Sequence, residues 1–356
     1  MGWSLSIDMD DIADATVVTA KSGPLPDGAA RLRIDRFALT ANNVTYAAFG
    51  RAMRYWDFFP GDDGRGRLPV WGFAEVSESR VDGLAPGERV YGYFPAASEL
   101  DVQPVRITAS GFADSSAHRT DLPPAYNAYV RCQADPAWSP EIEAAQMVLQ
   151  PLFVTAFLLD NYLRDDANGL DAARILLTSA SSKTAISLAY LLKQAGRPAH
   201  ALTSARNAGF VAGLELYDGV TTYDALGSLG AGAPAVIVDF AGDADINRGL
   251  HTHLADALLA NIRVGGAHWE RSAPPKDLPP PRPHFFFAPD VARSLIKTWG
   301  QDRFETAYKS GWQDFARAAG TLFGFEERTG AGGALETYRQ LVAGDVAADR
   351  ALSIRT

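Results

Sequence analysis

Up to residue 130 the chain alternates polar and apolar residues in short runs. ARLRIDRFALTA (30–41), RLPVWGFAEVSE (67–78) and ERVYGYFPA (88–96) are the clearest. Gly- and Pro-rich clusters such as PGDDGRG (60–66) and LAPGE (84–88) separate them, as turns separate strands. A period of two gives each strand one wet face, which predicts an antiparallel barrel or sandwich.

Near residue 140 the period changes. EIEAAQMVLQPLFVTAFLLDNYL (141–163) has apolar residues at helical spacing, and Pro151 predicts a break between two helices. ARILLTSASSKTAISLAYLLKQAG (173–196) reads as an apolar strand, a turn of small residues and an amphipathic helix closed by Gly196. RPAHALTSA (197–205), APAVIVDFAG (233–242) and ANIRVGGAHW (260–269) read as further strands. Strand and helix alternate through residue 292, which predicts a doubly wound parallel sheet with right-handed crossovers. A proline-rich loop, PPKDLPPPRP (274–283), leads to HFFFAP (284–289), an expected edge strand. Beyond it we expect one helix containing residues 297–308, another near 335–343, and a closing strand RALSIR (350–355). There is no internal repeat and no long low-complexity tract.

Composition narrows the classes. The 356 residues are 47% hydrophobic and 21% charged, with 33 Lys and Arg against 42 Asp and Glu, a net charge of −9. That length suits two packed domains, and the acidic balance argues against a nucleic-acid surface. No uninterrupted apolar run approaches the ~18 residues of a bilayer span, and the early acids in MGWSLSIDMDD do not resemble an export signal. We therefore expect a cytoplasmic protein that contacts neither nucleic acid nor membrane. Cys132 is the single cysteine, which excludes an internal disulfide and any zinc site built from several thiolates. It reads as a small buried hydrophobe. His251 and His253 form the only close histidine pair; alternate residues of a helix point in different directions, so they read as a solvated helix face and no metal is expected.

The turn after ILLT (175–178) carries the candidate cofactor chemistry. A dinucleotide site needs backbone N–H groups at a helix N-terminus and residues small enough to admit a pyrophosphate. Residues 179–185, SASSKTA, lack the usual glycines. All but Lys183 are small, and the hydroxyls of Ser181, Ser182 and Thr184 can meet phosphate oxygens, with Ser179 at the turn. Lys183 adds a charge there, or is a solvated lysine at a helix start. At the end of the next strand an acid would hold the ribose 2′-OH of NAD. The sequence has none there; Ser204 and Arg206 favour NADP(H), with Tyr223 a further candidate beside the 2′-phosphate.

These pieces, in this order, resemble the medium-chain dehydrogenase/reductase superfamily, especially its zinc-free quinone and enoyl reductases. LTANNVTYAAFG (39–50) is similar to that family's LNPVDYxxxxG segment, with Asn42 and Tyr46 aligning. VWGFAEVSESRVDGLAPGERVYGY (70–93) is similar to its GHEGAGVVxxVGxxVxxxxxGDRVxG run. QPLFVTAFLL (150–159) resembles the hinge LxxLTAxxxL, and FEERTGAGGALETYRQLVAG (325–344) resembles the family's ending. The resemblance spans nearly the whole chain. It implies a Rossmann-type doubly wound parallel sheet (141–299) inserted in a GroES-like β-barrel domain (1–140 and 300–356). It also implies a homodimer paired through sheet edges, with HFFFAP as the edge to be covered. The departures imply a divergent branch, one of the domain-of-unknown-function families related to this superfamily. Trp71 stands where metal-dependent members place a zinc-ligand histidine, the glycine fingerprint is replaced, and residues 106–129 form an insertion.

The expected activity is zinc-independent, NADPH-dependent reduction of an activated C=C or conjugated carbonyl of a small molecule. By resemblance, Thr155 lies beside the nicotinamide and Tyr46 or Tyr55 donates the proton. A phenol is neutral at pH 7 yet a strong hydrogen-bond donor; each of these tyrosines reads equally well as interface packing. Asn42 would orient substrate or cofactor, or simply occupy a turn. His118 and Arg119, with Asp121, form a polar trio in the insertion suited to gripping a carboxylate or carbonyl, with Tyr126 following on the rim of the cleft; a solvent-exposed loop is the other reading. The alternative for the whole chain is a divergent member that has lost hydride transfer and serves as a ligand-binding protein or non-redox enzyme.

Overall fold

Alternation in the amino-terminal part becomes β1 (Gly2–Asp8), β2 (Ala15–Ala20) and β3 (Ala30–Leu39), then α1 (Ala41–Ala48). The computed structural model describes residues 2–165, 170, 173–197, 199–230, 232–264 and 278–356. A capping box opens α1: Thr40 Oγ1 accepts from Asn42 N, and Asn43 Oδ1 accepts from Thr40 N at 2.8 Å. The amide of Asn43 also donates to Pro69 O at 2.9 Å, which ties the helix to the next strands. These are β4 (Arg65–Arg67), β5 (Pro69–Ser79), β6 (Arg89–Pro95), β7 (Glu99–Val102), β8 (Pro104–Val105), β9 (Gly111–Asp114) and β10 (Ala128–Arg131). In the antiparallel β5–β6 pair, Trp71 faces Tyr93 and Phe73 faces Tyr91, so four aromatic rings share the middle of one side of the ribbon. Gly92 keeps the opposite side thin. A Cβ there would meet the Tyr129 ring at 2.4 Å.

The parallel sheet follows α2 (Glu143–Arg164): β11 (Arg174–Leu177), α3 (Lys183–Gln194), β12 (Ala199–Thr203), α4 (Ala205–Gly213), β13 (Tyr217–Thr222), β14 (Ala235–Asp239), α5 (Ala244–Leu254), β15 (Leu258–Arg263) and β16 (His284–Phe285). Its order is β13-β12-β11-β14-β15-β16, every pair parallel. That is the order of a dinucleotide-binding sheet, with the reversal between β11 and β14. Residues 265–269 of the strand expected at 260–269, and 274–277 of the proline-rich loop, lie outside the described residues.

Two helix expectations are corrected. Pro151 does not divide 141–163; α2 runs through it as one helix. Phe153, Ala156 and Leu159 are fully buried, and Phe153 stacks on Phe315 at 5.2 Å and meets Trp312 at 5.6 Å. Such packing offsets the roughly 3 kcal/mol that an internal proline costs. With its opening turn, this helix is long and apolar enough to cross a membrane by length and composition, but 61% of that window is buried, as in a core helix. The helix expected around 297–308 is two, α6 (Ala288–Trp299) and α7 (Gln301–Leu322), because Gly300 turns the chain at φ 82°.

The chain returns through β17 (Gly324–Thr329), α8 (Gly330–Ala343) and β18 (Arg350–Arg355). β18 lies between β17 and β3, in a sheet ordered β17-β18-β3-β5-β6-β10-β9-β8, while β1 joins β2 and β4 in a smaller one. The two compact units are Met1–Val148 with Phe323–Thr356, and Leu149–Leu322. Residues 300–322, expected with the β-rich domain, thus stand in the second unit, where Trp312 and Phe315 of α7 surround Phe153.

An ion-pair network closes the first unit. Arg89 holds Glu143 through two bonds of 2.6 and 2.7 Å and Asp35 at 2.8 Å; Arg36 reaches Asp35, Glu143 and Glu327. Burial alone would raise the Asp35 carboxyl, but the Arg89 hydrogen bond and the Arg36 and Arg355 charges outweigh it and hold it below its usual range. A depressed folded pKa gives stability that is complete above the unfolded value of about 3.9 and is lost as pH falls through the folded one. Urea-unfolding midpoints should therefore drop below about pH 4, and Asp35→Asn should flatten that part of the pH profile.

Candidate functional site

The crevice at the carboxyl ends of β11 and β14 is where a sheet of this order binds ligands. The turn after β11 has no glycine, and Ser179 within it sits in the left-handed region at φ 47°, where a side chain normally costs energy. Three bonds hold the turn. Ser179 N donates to Tyr223 Oη at 2.7 Å, Tyr217 Oη donates to Ala180 O at 2.7 Å, and Asn207 Nδ2 donates to Ser181 Oγ at 3.0 Å. Ser182 caps α3, its Oγ accepting from Ala185 N at 3.3 Å. Lys183 and Thr184 form the first turn of α3, and Ala180 and Ala185 are fully buried. Burial pushes the Tyr223 phenol up to about 12, Asp239 and Asp243 adding to the rise and the Ser179 bond opposing it. Sequence reading placed Tyr223 beside a 2′-phosphate; its hydroxyl in fact braces the turn. Ser204 is the N-cap residue of α4 without a side-chain cap bond, and Arg206 stands exposed in the first turn of that helix. Thr155 is half-buried on α2.

Behind the turn lies a polar chain that the sequence did not reveal. Thr178 Oγ1 donates to Asp239 Oδ1 at 2.6 Å, and Asn247 Nδ2 donates to Asp239 Oδ2 at 2.9 Å. The amide of Asn261 donates to Asn247 Oδ1 and to His251 Nε2, and His251 Nδ1 donates to Pro279 O. All five side chains are at most 4% exposed. His251 is thus no solvated helix residue: α5 turns it against the sheet, and burial lowers its pKa. No group of three or more His, Cys, Asp or Glu among the described residues is arranged to hold a metal ion.

In the first unit, Tyr46, Tyr55 and Tyr126 come together. Tyr46 and Tyr55 centroids are 4.4 Å apart, Tyr126 packs on Tyr93 at 4.8 Å, and Trp71 packs on Tyr93 at 5.1 Å and Tyr126 at 5.9 Å. Burial raises the Tyr46 phenol, with Tyr126 adding to the rise and Trp71 and Asn42 opposing it; burial also raises Tyr55, Tyr93 and Tyr126. The four phenols therefore stay protonated through any physiological pH, as proton donors must. Two members, Trp71 and Tyr93, were not singled out as binding residues. Their signal was the period-two spacing of 71/73 and 91/93, which puts them on one face of paired strands.

The polar trio of the insertion is corrected. Arg119 is fully buried and cannot grip a substrate. It donates to Asp114 Oδ2 at 3.0 Å, Asn127 Oδ1 at 2.9 Å, Tyr129 Oη at 2.9 Å and Tyr126 O at 2.5 Å, and lies over the Phe59 ring at 5.0 Å. A buried guanidinium needs that many acceptors. His118 is exposed and bonds Phe58 O at 3.2 Å, and Asp121 is exposed. Cys132 is buried, and burial pushes its thiol up to about 12, which suits packing and not nucleophilic work.

A family model described as a protein of unknown function, DUF2855, matches residues 37–347. No curated protein matches the sequence. Solved structures match over the full length. CurA from Vibrio vulnificus in complex with NADPH is 10% identical, with a TM-score of 0.64 and 99% of each chain covered. Escherichia coli YhdH with bound NADPH is 12% identical, with a TM-score of 0.61 and the same coverage. A mutant enoyl thioester reductase from Candida tropicalis is 12% identical, with a TM-score of 0.60, covering 100% of this chain and 99% of its own. The chain shares the fold of these solved structures, a doubly wound parallel sheet whose sequence is inserted in that of a β-rich unit, which is the fold class expected above.

Asp114→Ala strands the Arg119 charge and should destabilise the first unit by about 3–5 kcal/mol. Urea unfolding followed by tryptophan fluorescence measures it.

Proposed function

The chain belongs to the DUF2855 family of proteins of unknown function, and we propose that it is a cytoplasmic, zinc-independent NADPH-dependent reductase of an activated C=C or conjugated carbonyl. The observation that carries this reading is the left-handed Ser179 turn, at the point where the sheet order reverses. The residues fit the nucleotide. Ala180 and Ala185 are fully buried, leaving the crevice to small groups, and the end of β12 offers Ser204 and Arg206 without an acid. Ser181, Ser182, Lys183 and Thr184 would hold the pyrophosphate, Thr155 would flank the nicotinamide, and Ser204 and Arg206 would hold the 2′-phosphate. Tyr223 would contribute by fixing the turn. Bound NADPH would supply a hydride.

The chain's own part is orientation and protonation. Tyr46 or Tyr55 would deliver a proton from its hydroxyl to the carbon or oxygen that gains negative charge, with Asn42 orienting the acceptor. Their burial among other phenols supports the role, since a neutral donor in a dry site transfers its proton only when charge develops. Tyr126 would contact the substrate.

A second reading keeps the fold without hydride transfer. Its support is the bond from Ser179 N to Tyr223 Oη, which occupies a backbone donor that a pyrophosphate could otherwise use.

Titration with NADPH and NADH, read by nucleotide fluorescence, separates the two readings. The reductase binds NADPH more tightly, and Arg206→Ala weakens NADPH about five- to tenfold while leaving NADH unchanged. Binding of neither nucleotide overturns the redox reading. We further propose a homodimer joined through β16, the end strand of the sheet, where Phe285 is 61% exposed and Phe287, two residues on, 51%. Light scattering should give twice the 38.2 kDa of the chain; a monomer overturns it.

A further inference from the structure

Other half-buried arginines of the first unit find a carboxylate: Arg65 reaches Asp14, Arg89 reaches Glu143 and Arg131 reaches Glu88. Arg67 does not. Half-buried on β4, it makes no side-chain hydrogen bond or ion pair among the described residues, and its Nε is buried without a partner. Burial lowers its pKa, and the charge of Asp62, exposed and beyond ion-pair distance, offsets this only in part. Its backbone is firmly placed. Gly66 lays β4 against the Trp56 ring, which a Cβ would meet at 2.4 Å, and Arg67 N donates to Phe59 O at 3.1 Å. A cation drawn out of water without a counter-charge is costly, so this one calls for an explanation.

The preceding carbonyl, Phe58 O, holds a second basic group: it meets His118 Nε2 at 3.2 Å. His118 belongs to the one-turn segment Ala117–Arg119, which the buried Arg119 anchors through Asp114, Asn127 and Tyr129. A carbonyl oxygen only accepts, so Nε2 carries the hydrogen. Nδ1, without a partner among the described residues, keeps its lone pair. Arg67 and His118 thus stand on segments tied to consecutive residues, and the Arg67 charge reaches the imidazole. Burial lowers the His118 pKa; Arg119 and Arg67 add to the fall, against the Phe58 bond and Asp114. Asp114 is itself paired with Arg119 at 3.0 Å, so it is not free to neutralise Arg67.

We propose that the first unit binds an oxyanion, the phosphate or carboxylate end of a small molecule, between the Arg67 guanidinium and the His118 ring. The terminal groups of the guanidinium offer parallel donors to two oxygens. His118 Nδ1 takes a proton from solvent as the anion arrives and donates it to the anion. The His118 ring is exposed, so the ligand enters without any segment moving. The ring of Phe58 packs on Tyr93 at 5.4 Å and Tyr126 at 5.3 Å; the site neighbours the phenol cluster without sharing its hydroxyls. This goes beyond the reduction proposed above, since nothing in it needs a nucleotide or hydride transfer.

The test is an NMR pH titration of the His118 ring, assigned with His118→Gln, in sodium sulfate, sodium acetate and sodium chloride at equal ionic strength. Sulfate keeps both charges across the titration and stands in for a phosphate; acetate stands in for a carboxylate. Chloride controls for screening. A bound anion favours the imidazolium, so the midpoint should rise by about 1 pH unit in sulfate or acetate over its value in chloride. The larger rise identifies the group, and equal rises mean that both are accepted. Affinity read by calorimetry should weaken as pH rises through the interval between the two midpoints, where the proton taken up is lost. Arg67→Met should raise the chloride midpoint, by removing a like charge, and weaken the anion about tenfold or more. The same midpoint in all three salts, or an anion effect unchanged in Arg67→Met, overturns the proposal. The titration of the unaltered chain carries the test even where Arg67→Met does not fold.

Discussion

Burying one guanidinium organises the insertion and everything that leans on it. Arg119 has no exposed surface, so its donors must be met from within, and the structure meets them with a carboxylate, an amide, a phenol and a main-chain carbonyl. Asp114 in turn accepts from the backbone of Gln103 and Ser116 and from the Ser116 hydroxyl. Satisfying the charge thus fixes β9, the segment before β10 and the ring of Tyr129, which bonds Tyr93 O. The aromatic slab of β5 and β6 is held from below by polar bonds and filled from above by rings.

The second unit solves a similar problem with the opposite charge. The Asp239 carboxylate is 2% exposed, and its donors among the described residues are neutral: Thr178, Asn247 and the amides of Ala241 and Gly242. Those bonds join the ends of β11 and β14 where the sheet order reverses. The same ends carry the turn that Tyr217 and Tyr223 secure. Where glycines would give such a turn its freedom, here hydroxyls from β13 and the segment after it give it rigidity.

What the sequence revealed followed its periodicities. Alternation at 30–41, 67–78 and 88–96 became β3, β5 and β6, and the strand–turn–helix run at 173–196 became β11 and α3. What it hid depended on partners remote along the chain. Pro151 signals a break locally, but Phe153 finds Trp312 and Phe315 more than 150 residues later. Arg119 and His251 carry residue types usual at surfaces, and only the fold brings Asp114 with Tyr129, or Asn261 with Pro279, to meet them. Tyr46, Tyr55 and Tyr126 were legible as candidates, yet their meeting point needed Trp71 and Tyr93 on paired strands.

The position of β18 has a consequence for biosynthesis. This strand lies inside the large sheet, between β17 and β3, but it is made after the whole of the second unit. During translation β7 covers that edge of β3 at Ala30–Arg33 early, but Arg36–Leu39 must wait about 300 further residues before β18 arrives. The second unit is sequence-continuous and can complete its parallel sheet in that interval. The last strand pairing of the first unit therefore forms after the second unit is made, and the end of β3 at Arg36–Leu39 is the edge that chaperones would have reason to shield.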